Sequence, residues 1–197
     1  MGNFCYLGLQ IVARWYTGQQ ALSNVSSYSA ISASPMVSFH MRKIIIDTDP
    51  GTDDALAIMA ALNSPDLVVA GITTVGGNAR LAHTTRNALR LMEYLGVSDV
   101  PVSAGAARPL HGSFTYAYHV HGSAGLGVRL SASRSKVIPV PASKLIHDLT
   151  SASPGQITLI ALGPLTNVAR ALQEHAELLE VIANIVIMGG AVKDKGN

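Results

Sequence analysis

The sequence has few cysteines, few charged residues and no long apolar run, and each shortage excludes a class of protein. Its 197 residues include one cysteine, Cys5, which excludes an internal disulfide framework and any multi-cysteine zinc site. Charged residues make up 13% of the chain and hydrophobic residues 48%, which favours a well-buried α/β domain. A net charge of +2 without a basic cluster predicts no nucleic-acid partner. No apolar run approaches the roughly 20 residues of a membrane span, so we expect a small-molecule ligand and no membrane.

The first 40 residues differ in composition from the rest. They contain no aspartate or glutamate, and serine and alanine dominate residues 21–39 without helical or strand periodicity. We expect a disordered or spurious extension over residues 1–40 and the folded domain over residues 41–197. The protein is expected in the cytoplasm. The serine-rich, acid-free composition leaves organellar targeting open as an alternative, although Arg14 is the only basic residue before Arg42.

From Met41 onward, apolar runs of strand length alternate with helical segments. This alternation predicts an α/β fold with a doubly wound, mainly parallel open sheet, in which ligands bind at the carboxyl ends of the strands. The predicted strands are Ile44–Ile46, Leu67–Val75, Val100–Ser103, Ile157–Leu162 and Asn184–Met188, with a further ordered run at Val137–Val140. The predicted helices are Ala55–Leu62, Leu81–Leu95, Ala142–Ser151 and Leu165–His175. Between them, Gly105–Ser135 has no clear period and predicts a functional loop or a pair of short elements.

Four aspartates lie within eight residues directly after the first strand: Asp47, Asp49, Asp53 and Asp54. At about 4 Å and an effective dielectric constant near 20, each pair of like charges repels by roughly 4 kcal/mol, so the cluster favours a compensating cation. Helix capping is an alternative for Asp53 and Asp54, because free N–H groups at a helix start favour negative charge. Capping does not explain two further aspartates at the end of a buried strand. The four together therefore predict a site for a hard cation with oxygen ligands.

Two known aspartate loops fit this stretch less well. An EF-hand loop that started at Asp47 would place Thr52 where glycine is required and Ile58 where glutamate is required. In the haloacid dehalogenase-like phosphatases the strand ends in D-x-D-G-T, with the first aspartate as the nucleophile. In that register Thr52 stands one residue late, and Asp53 and Asp54 have no role. The phosphatase is the less favoured alternative.

The stretch Asp47–Ala55 (DTDPGTDDA) strongly resembles the signature of the inosine-uridine-preferring nucleoside hydrolases, or nucleoside N-ribohydrolases. Later segments resemble further motifs of that family in the same order: Thr74–Asn78, His121–Gly127, Leu162–Asn167, and Met188–Ala191 followed by Gly196 and Asn197. The resemblance covers residues 42–197 and implies the Rossmann-like nucleoside hydrolase fold. It also implies calcium-assisted hydrolysis of the N-glycosidic bond of ribonucleosides, which releases ribose and the free base.

The resemblance implies a role for each residue near the cation. Asp49 would bind Ca²⁺ and act as the general base, and Asp54 would bind Ca²⁺ through its carboxylate. Leu162 would offer its backbone carbonyl to the same ion. Asp47 would support the site by orienting Asp49 or the turn.

The same resemblance implies contacts with the ribonucleoside substrate. Asp53 and Asn78 would hold ribose hydroxyls. His121, Met188 and Asn197 would also contact the substrate. For His121 the alternative is a loop histidine whose ring is satisfied by the backbone or by water.

Asn167 also matches a family position, but an asparagine in the first turn of a helix more often has a structural role. The chain ends nine residues after the last predicted strand. We expect a C-terminally truncated domain, because the family's later calcium and ribose ligands would fall beyond Asn197. Ca²⁺ takes about six to eight oxygen ligands, so such a chain is expected to bind it weakly and to be inactive or impaired. A non-catalytic remnant is the alternative to an enzyme, and the full-length form is expected to be a homo-oligomer.

Overall fold

The computed structural model describes residues 41–191 and residue 193, in which five strands form one sheet. The strands are β1 (Arg42–Thr48), β2 (Leu67–Thr74), β3 (Val102–Ala104), β4 (Ile157–Ala161) and β5 (Asn184–Ile187). The helices are α1 (Thr52–Leu62), α2 (Leu81–Tyr94), α3 (Tyr118–His121), α4 (Ala142–Ser151), α5 (Thr166–Glu174) and α6 (Leu178–Val181). Every pair in the order β3-β2-β1-β4-β5 is parallel, which confirms the fold class expected from the sequence. None of these helices has the length and apolar character needed to cross a membrane.

The central strand, β1, is covered by helices on both faces. Its isoleucines alternate: Ile44 and Ile46 pack in the cluster that contains residues of α1 and α2, and Ile45 packs with residues of α4, α5 and α6. All three are at most 2% exposed. An uninterrupted β-branched run is buried on both faces in this way because crossover helices cover both faces of a parallel sheet. Truncation of such a buried isoleucine to alanine costs about 2–5 kcal/mol, so the run strongly specifies the position of β1.

The strand order reverses between β1 and β4. The chain runs from β1 outward to β2 and β3, and then crosses back to β4 on the other side of β1. In a doubly wound sheet the ligand crevice opens at this reversal, outside the carboxyl ends of the strands. Backbone hydrogen bonds align these ends: the Val75 N–H donates to the Thr48 carbonyl at 3.0 Å and the Leu162 N–H to the Asp47 carbonyl at 2.8 Å. The turns after β1, β2 and β4 therefore meet at one edge.

Several predicted boundaries differ from the structure. α1 begins at Thr52, three residues before the predicted start, because the polar turn residues already adopt helical geometry. Among the described residues, 137–140 form no strand, and Ile138 donates one backbone hydrogen bond to the Val102 carbonyl beside β3. The long segment after β3 contains one helical turn, α3. The single turn of α6 is too short for its periodicity to be recognised in the sequence.

The last strand, β5, differs from the others in its exposure. Val186 and Ile187 in β5, and Met188 directly after it, are each between 47% and 51% exposed, although this sequence is as apolar as that of a buried strand. β5 pairs with β4 on one side and forms an edge of the described sheet. Contacts among the described residues therefore do not account for the apolar character of β5.

Candidate active site

Asp49 lies one residue beyond β1, at the carboxyl edge of the sheet, and is 4% exposed. Its Oδ2 accepts a hydrogen bond of 2.6 Å from the backbone N–H of Asn78, in the turn after β2. Gly77 and Gly163 approach the carboxylate so closely that a β-carbon at either position would collide with it. Glycine is therefore required in the turns after β2 and β4 because the Asp49 carboxylate occupies the space of a side chain.

Asp54, in the first turn of α1, is the second buried carboxylate of the site. Its Oδ1 accepts a hydrogen bond from the Thr48 hydroxyl at 2.9 Å. Its Oδ2 accepts from the Gly51 backbone N–H at 3.0 Å and from Asn78 Nδ2 at 3.1 Å. The Gly51 contact caps the helix start, as the capping alternative predicts. Capping does not exclude a cation, because each carboxylate oxygen offers two lone pairs.

Asn78 connects the two carboxylates. Its backbone N–H bonds the Asp49 carboxylate, and its Nδ2 donates to the Asp49 carbonyl at 3.2 Å and to Asp54. Both hydrogens of the side-chain amide are therefore engaged within the site. The side-chain oxygen is the atom of Asn78 that stays available to a ligand.

Burial and crowding disfavour the ionised form of both carboxyl groups. Burial, followed by the negative charge of Asp54, raises the pKa of Asp49 to about 8. Burial also raises the pKa of Asp54, and the charge of Asp53 adds to that effect. A nearby cation acts in the opposite direction, since an opposite charge stabilises the carboxylate. The pair therefore requires either a shared proton or a cation near neutral pH.

The donor atoms at this edge fit a hard divalent cation. The carboxylates of Asp49 and Asp54 and the backbone carbonyl of Leu162 offer oxygen, which Ca²⁺ and Mg²⁺ prefer. Leu162 is held at the same edge by its hydrogen bond to the Asp47 carbonyl. Two carboxylates and one carbonyl are fewer than the about six to eight oxygens that Ca²⁺ takes. The remaining ligands would therefore come from beyond these residues, from water or from substrate.

Asp47 lies beneath this edge and is fully buried. Its Oδ1 accepts hydrogen bonds from the Thr73 hydroxyl at 2.5 Å and from Asn167 Nδ2 at 2.7 Å. Its Oδ2 has no hydrogen-bond partner among the described residues. Burial raises the pKa of Asp47 to about 6, although the two hydrogen bonds oppose the shift. Asp47 thus joins β1 to β2 and α5 under the site.

Asn167, in the first turn of α5, is held entirely by such structural contacts. Its Nδ2 also donates to the Thr74 carbonyl at 3.0 Å, and its Oδ1 accepts from the Ala106 backbone N–H at 2.8 Å. The side chain is 1% exposed. These contacts agree with the structural role that the sequence favours for an asparagine in a first turn.

Asp53 and His121 both lie at the start of α1. Asp53 is exposed in the first turn, next to the buried Asp54. The ring of His121 lies against Gly51, where an added β-carbon would stand 2.7 Å from it, and its Nδ1 accepts a hydrogen bond from the Thr52 backbone N–H at 3.3 Å. Nδ1 is therefore satisfied by the backbone, and any substrate contact of His121 falls to Nε2.

Two predicted residues follow β5. Met188 is 50% exposed, and its backbone N–H donates to the Ala161 carbonyl at 2.8 Å. This hydrogen bond places Met188 at the carboxyl end of β4. Asn197 lies outside the described residues, as does the predicted extension over residues 1–40.

Thr48 and Thr73 belong to the site but are not identified by reasoning from the sequence. Their hydroxyls donate to Asp54 and Asp47, respectively. Threonine is ordinary at the end of a strand, so no local pattern marks either residue. The signal is the strand register, in which Thr73 is the partner of Asp47 across β1 and β2.

Comparison with known proteins identifies the family of this chain. The family model of the inosine-uridine preferring nucleoside hydrolases matches residues 44–197. The chain is 43% identical to the probable uridine nucleosidase 2 of Oryza sativa subsp. japonica, over 79% of this chain and 47% of that protein. It is 46% identical to the pyrimidine-specific ribonucleoside hydrolase RihA of Salmonella arizonae, over 76% of this chain and 48% of that protein.

Solved structures show the same relationship. A plant nucleoside hydrolase, PpNRh1, superposes with a TM-score of 0.74 at 44% identity, over 77% of this chain and 48% of that one. The purine-preferring ribonucleoside hydrolase of Gardnerella vaginalis superposes with a TM-score of 0.74 at 35% identity, over 77% of this chain and 50% of that one. The chain thus spans about half the length of the relatives it matches. From residue 44 onward, with its buried aspartates at the strand reversal, the chain belongs to the inosine-uridine preferring nucleoside hydrolase family.

Proposed function

We propose that this site hydrolyses the N-glycosidic bond of a ribonucleoside to ribose and free base, with Ca²⁺ as the resident cation. The observation that carries the proposal is the buried pair Asp49 and Asp54 at the strand reversal, with an Asn78 bridge and glycines shaped around the Asp49 carboxylate. The uridine nucleosidases and ribonucleoside hydrolases among the relatives support the substrate class. The homo-oligomer and the cytoplasmic location stay predictions.

Asp49 acts as the general base. It accepts a proton from the attacking water, whose oxygen forms a bond to the anomeric carbon of the ribose. The bond from that carbon to the base nitrogen breaks, and its electron pair leaves with the base, which takes up a proton from water while Asp49 returns its proton to water. When bound, Ca²⁺ supplies positive charge that acidifies water and offsets the two carboxylates. A carboxylate within hydrogen-bond reach is needed as well, because Ca²⁺ lowers the pKa of water less than Zn²⁺ does.

Asp53 and Asn78 hold the ribose hydroxyls. For Asn78 the contact is made by the side-chain oxygen, since both amide hydrogens bond within the site. Hydroxyls held by a carboxylate and an amide stabilise the positive charge that develops on the sugar ring in an oxocarbenium-like transition state. His121, Met188 and Asn197 complete the substrate contacts in this proposal, and Asp47 keeps β1 in place beneath Asp49.

A non-catalytic remnant is the second candidate, and one observation favours it. The described chain brings two carboxylates and one carbonyl to the cation, fewer than the about six to eight oxygens of a Ca²⁺ shell. We therefore expect weak Ca²⁺ binding and an impaired rate for the 197-residue chain.

The two candidates are separated by measuring ribose release from uridine and from inosine with added CaCl2. The enzyme hypothesis predicts ribose release that a calcium chelator abolishes and that Asp49→Asn reduces strongly. Asp99→Asn, which changes an exposed aspartate outside the site, is the matched control. Absence of release at high protein concentration, with the chain folded by circular dichroism, would favour the remnant. Phosphate release from a phosphomonoester with Mg²⁺ would contradict both.

A further inference from the structure

A second group of side chains that could bind a cation lies away from the aspartates. His147 is in α4, His175 directly follows α5, and Glu177 directly precedes α6. One ligand atom from each residue lies within 4.8 Å of the others. Asn167 lies in the first turn of α5, at the carboxyl edge of the sheet, and His175 follows the last residue of α5, so the group lies at the opposite end of α5 from the candidate active site.

Each ring nitrogen of His147 lies close to a carboxylate oxygen. Its Nδ1 lies 3.0 Å from Asp148 Oδ1, and its Nε2 lies 3.2 Å from Glu177 Oε1. A neutral imidazole has one N–H and one lone pair, so it can donate to only one of these two carboxylates. The lone pair of the other nitrogen would then point at a lone pair of a carboxylate oxygen, which is repulsive. The contact is favourable only if the imidazole is protonated or if a metal ion lies between the nitrogen and the oxygen.

His175 faces the same carboxylate oxygen from a second direction along the chain. Its Nδ1 lies 3.5 Å from Glu177 Oε1. The two imidazole rings stack with their centroids 3.9 Å apart. Protonation of both rings would place two positive charges in contact, which costs energy. One divalent ion satisfies both nitrogens and the carboxylate with a single centre.

We propose that His147, His175 and Glu177 form a binding site for a divalent transition metal of the Zn²⁺ class, with water in the remaining positions. Ligand atoms on a tetrahedral Zn²⁺ at bond lengths of about 2.0–2.1 Å stand roughly 3.3 Å apart, close to the two measured nitrogen-to-oxygen separations. Imidazole nitrogen suits Zn²⁺, Cu²⁺ and Ni²⁺, whereas Ca²⁺ prefers oxygen. The site therefore differs in selectivity from the aspartate site.

Binding requires a rotation of at least one ring. A metal lies in the plane of an imidazole that ligates it, and the two planes here are inclined by 22° in a stacked arrangement. The histidine χ2 torsion is soft, so such a rotation is inexpensive. Both side chains are partly exposed, at 22% and 23%, which leaves room for it.

Asp148 completes the site without touching the metal. As acceptor from His147 Nδ1, it selects the tautomer that presents the Nε2 lone pair to Glu177. Asp148 Oδ1 also accepts a hydrogen bond from Lys144 Nζ, 2.5 Å away, which holds the carboxylate beside His147. A histidine that ligates a metal through one ring nitrogen usually donates a hydrogen bond to a carboxylate through the other.

The test is a calorimetric titration of the full 197-residue chain, without a histidine tag, with ZnCl2 in a non-coordinating buffer that contains excess CaCl2. The expected result is one equivalent of Zn²⁺ that Ca²⁺ does not displace. His147→Gln is expected to weaken binding by more than about 10-fold, and Asp148→Asn by about 10-fold through the tautomer. His111→Gln, which changes an exposed loop histidine, is the matched control and should leave the isotherm unchanged.

Cobalt provides an independent readout of the ligands. Co²⁺ in the site is expected to show visible absorption of a nitrogen-ligated ion, and His147→Gln should remove it. Glu177→Gln keeps the shape of the side chain, so it tests the site if the histidine variant is unfolded by circular dichroism. The proposal would be overturned if the unchanged chain gave no Zn²⁺ isotherm, or if the isotherms of His147→Gln and Glu177→Gln matched that of the unchanged chain.

Discussion

The aspartate site beyond β1 and the histidine site at the end of α5 both favour a cation, but only the first is buried. Asp49 is 4% exposed and its carboxylate accepts a hydrogen bond from Asn78 in the turn after β2, whereas the side chains of Glu177 and Asp148 are 56% and 41% exposed. Burial removes water, so each carboxylate in the first site depends on protein partners or a cation. In the second site water screens the charges, and the same kind of contact contributes little unless a metal binds. The comparison predicts that substitutions at the buried aspartate site have larger effects than substitutions of the exposed residues around the histidine site.

The largest effect is expected at the general base. Asp49→Asn keeps the shape of the side chain but cannot accept the proton of water, so ribose release should fall by about 10²–10⁴-fold. The measurement is the initial rate of ribose release from uridine with saturating CaCl2. A rate within a few-fold of the unchanged chain would remove Asp49 from the role of base.

The next effect concerns the support beneath the site. Asn167→Ala would leave the Ala106 N–H unpaired in the core and would remove a donor from Asp47. Each buried polar group left unsatisfied costs about 1–3 kcal/mol, so we expect a loss of roughly 3 kcal/mol in the free energy of unfolding. Urea denaturation measures it. Asn63→Ala, which removes an exposed contact to the Met59 carbonyl, is the control and should cost much less.

The pH dependence of stability tests whether the aspartates lack a cation in the free chain. Burial raises the folded-state pKa values of Asp49 and Asp47 to about 8 and about 6, above the ordinary aspartate value of 3.8. The folded state therefore binds more protons than the unfolded state within this window, and the stability of the folded chain falls as the pH rises from about 4 to 8. The expected slope is on the order of 1 kcal/mol per pH unit for each proton.

Thermal denaturation between pH 5 and pH 8 measures this slope. Added CaCl2 should raise the melting temperature more at pH 8 than at pH 5, because the cation replaces the proton on ionised carboxylates. A melting temperature that rises with pH in the absence of Ca²⁺ would contradict the assignment.

The smallest effect is expected on the exposed side of the histidine site. Lys144 pairs with Asp148 one helical turn away, and both side chains are more than 40% exposed. Such pairs contribute about 0.3–0.5 kcal/mol, so Lys144→Ala should change the free energy of unfolding by no more than this. High salt should reduce the difference further. A loss above about 1 kcal/mol, measured by urea denaturation, would show that this surface is as tightly coupled as the aspartate site.

Much of the fold follows from local patterns in the chain. The strands β1, β2 and β4 are recognisable because each contains a mainly apolar, β-branched run that ends in a polar or glycine-containing turn. The helix α2 is predicted to within a residue, since its apolar residues recur at helical spacing. The segment after β3 is not predictable in this way, because loop conformation depends on contacts such as that of Tyr118 with His83 in α2.

The candidate site is predictable only in part. The aspartates after β1 are conspicuous because four carboxylates in eight residues are unusual. The roles of Thr73 and Asn167 are not, because their partner Asp47 lies 26 and 120 residues away in the sequence. The histidine site has the same difficulty, as its ligands come from α4 and from the turn between α5 and α6.

The sequence by itself determines which segments form strands and helices, and that carboxylates follow the first strand, because these properties depend on neighbours along the chain. The tertiary structure alone decides the strand order and thereby places the reversal at β1 and β4. It also decides which carboxylates lose their water, and hence the raised pKa values of Asp49 and Asp54. The physical reason is that solvation and long-range hydrogen bonds depend on what packs above each residue, which no local pattern records.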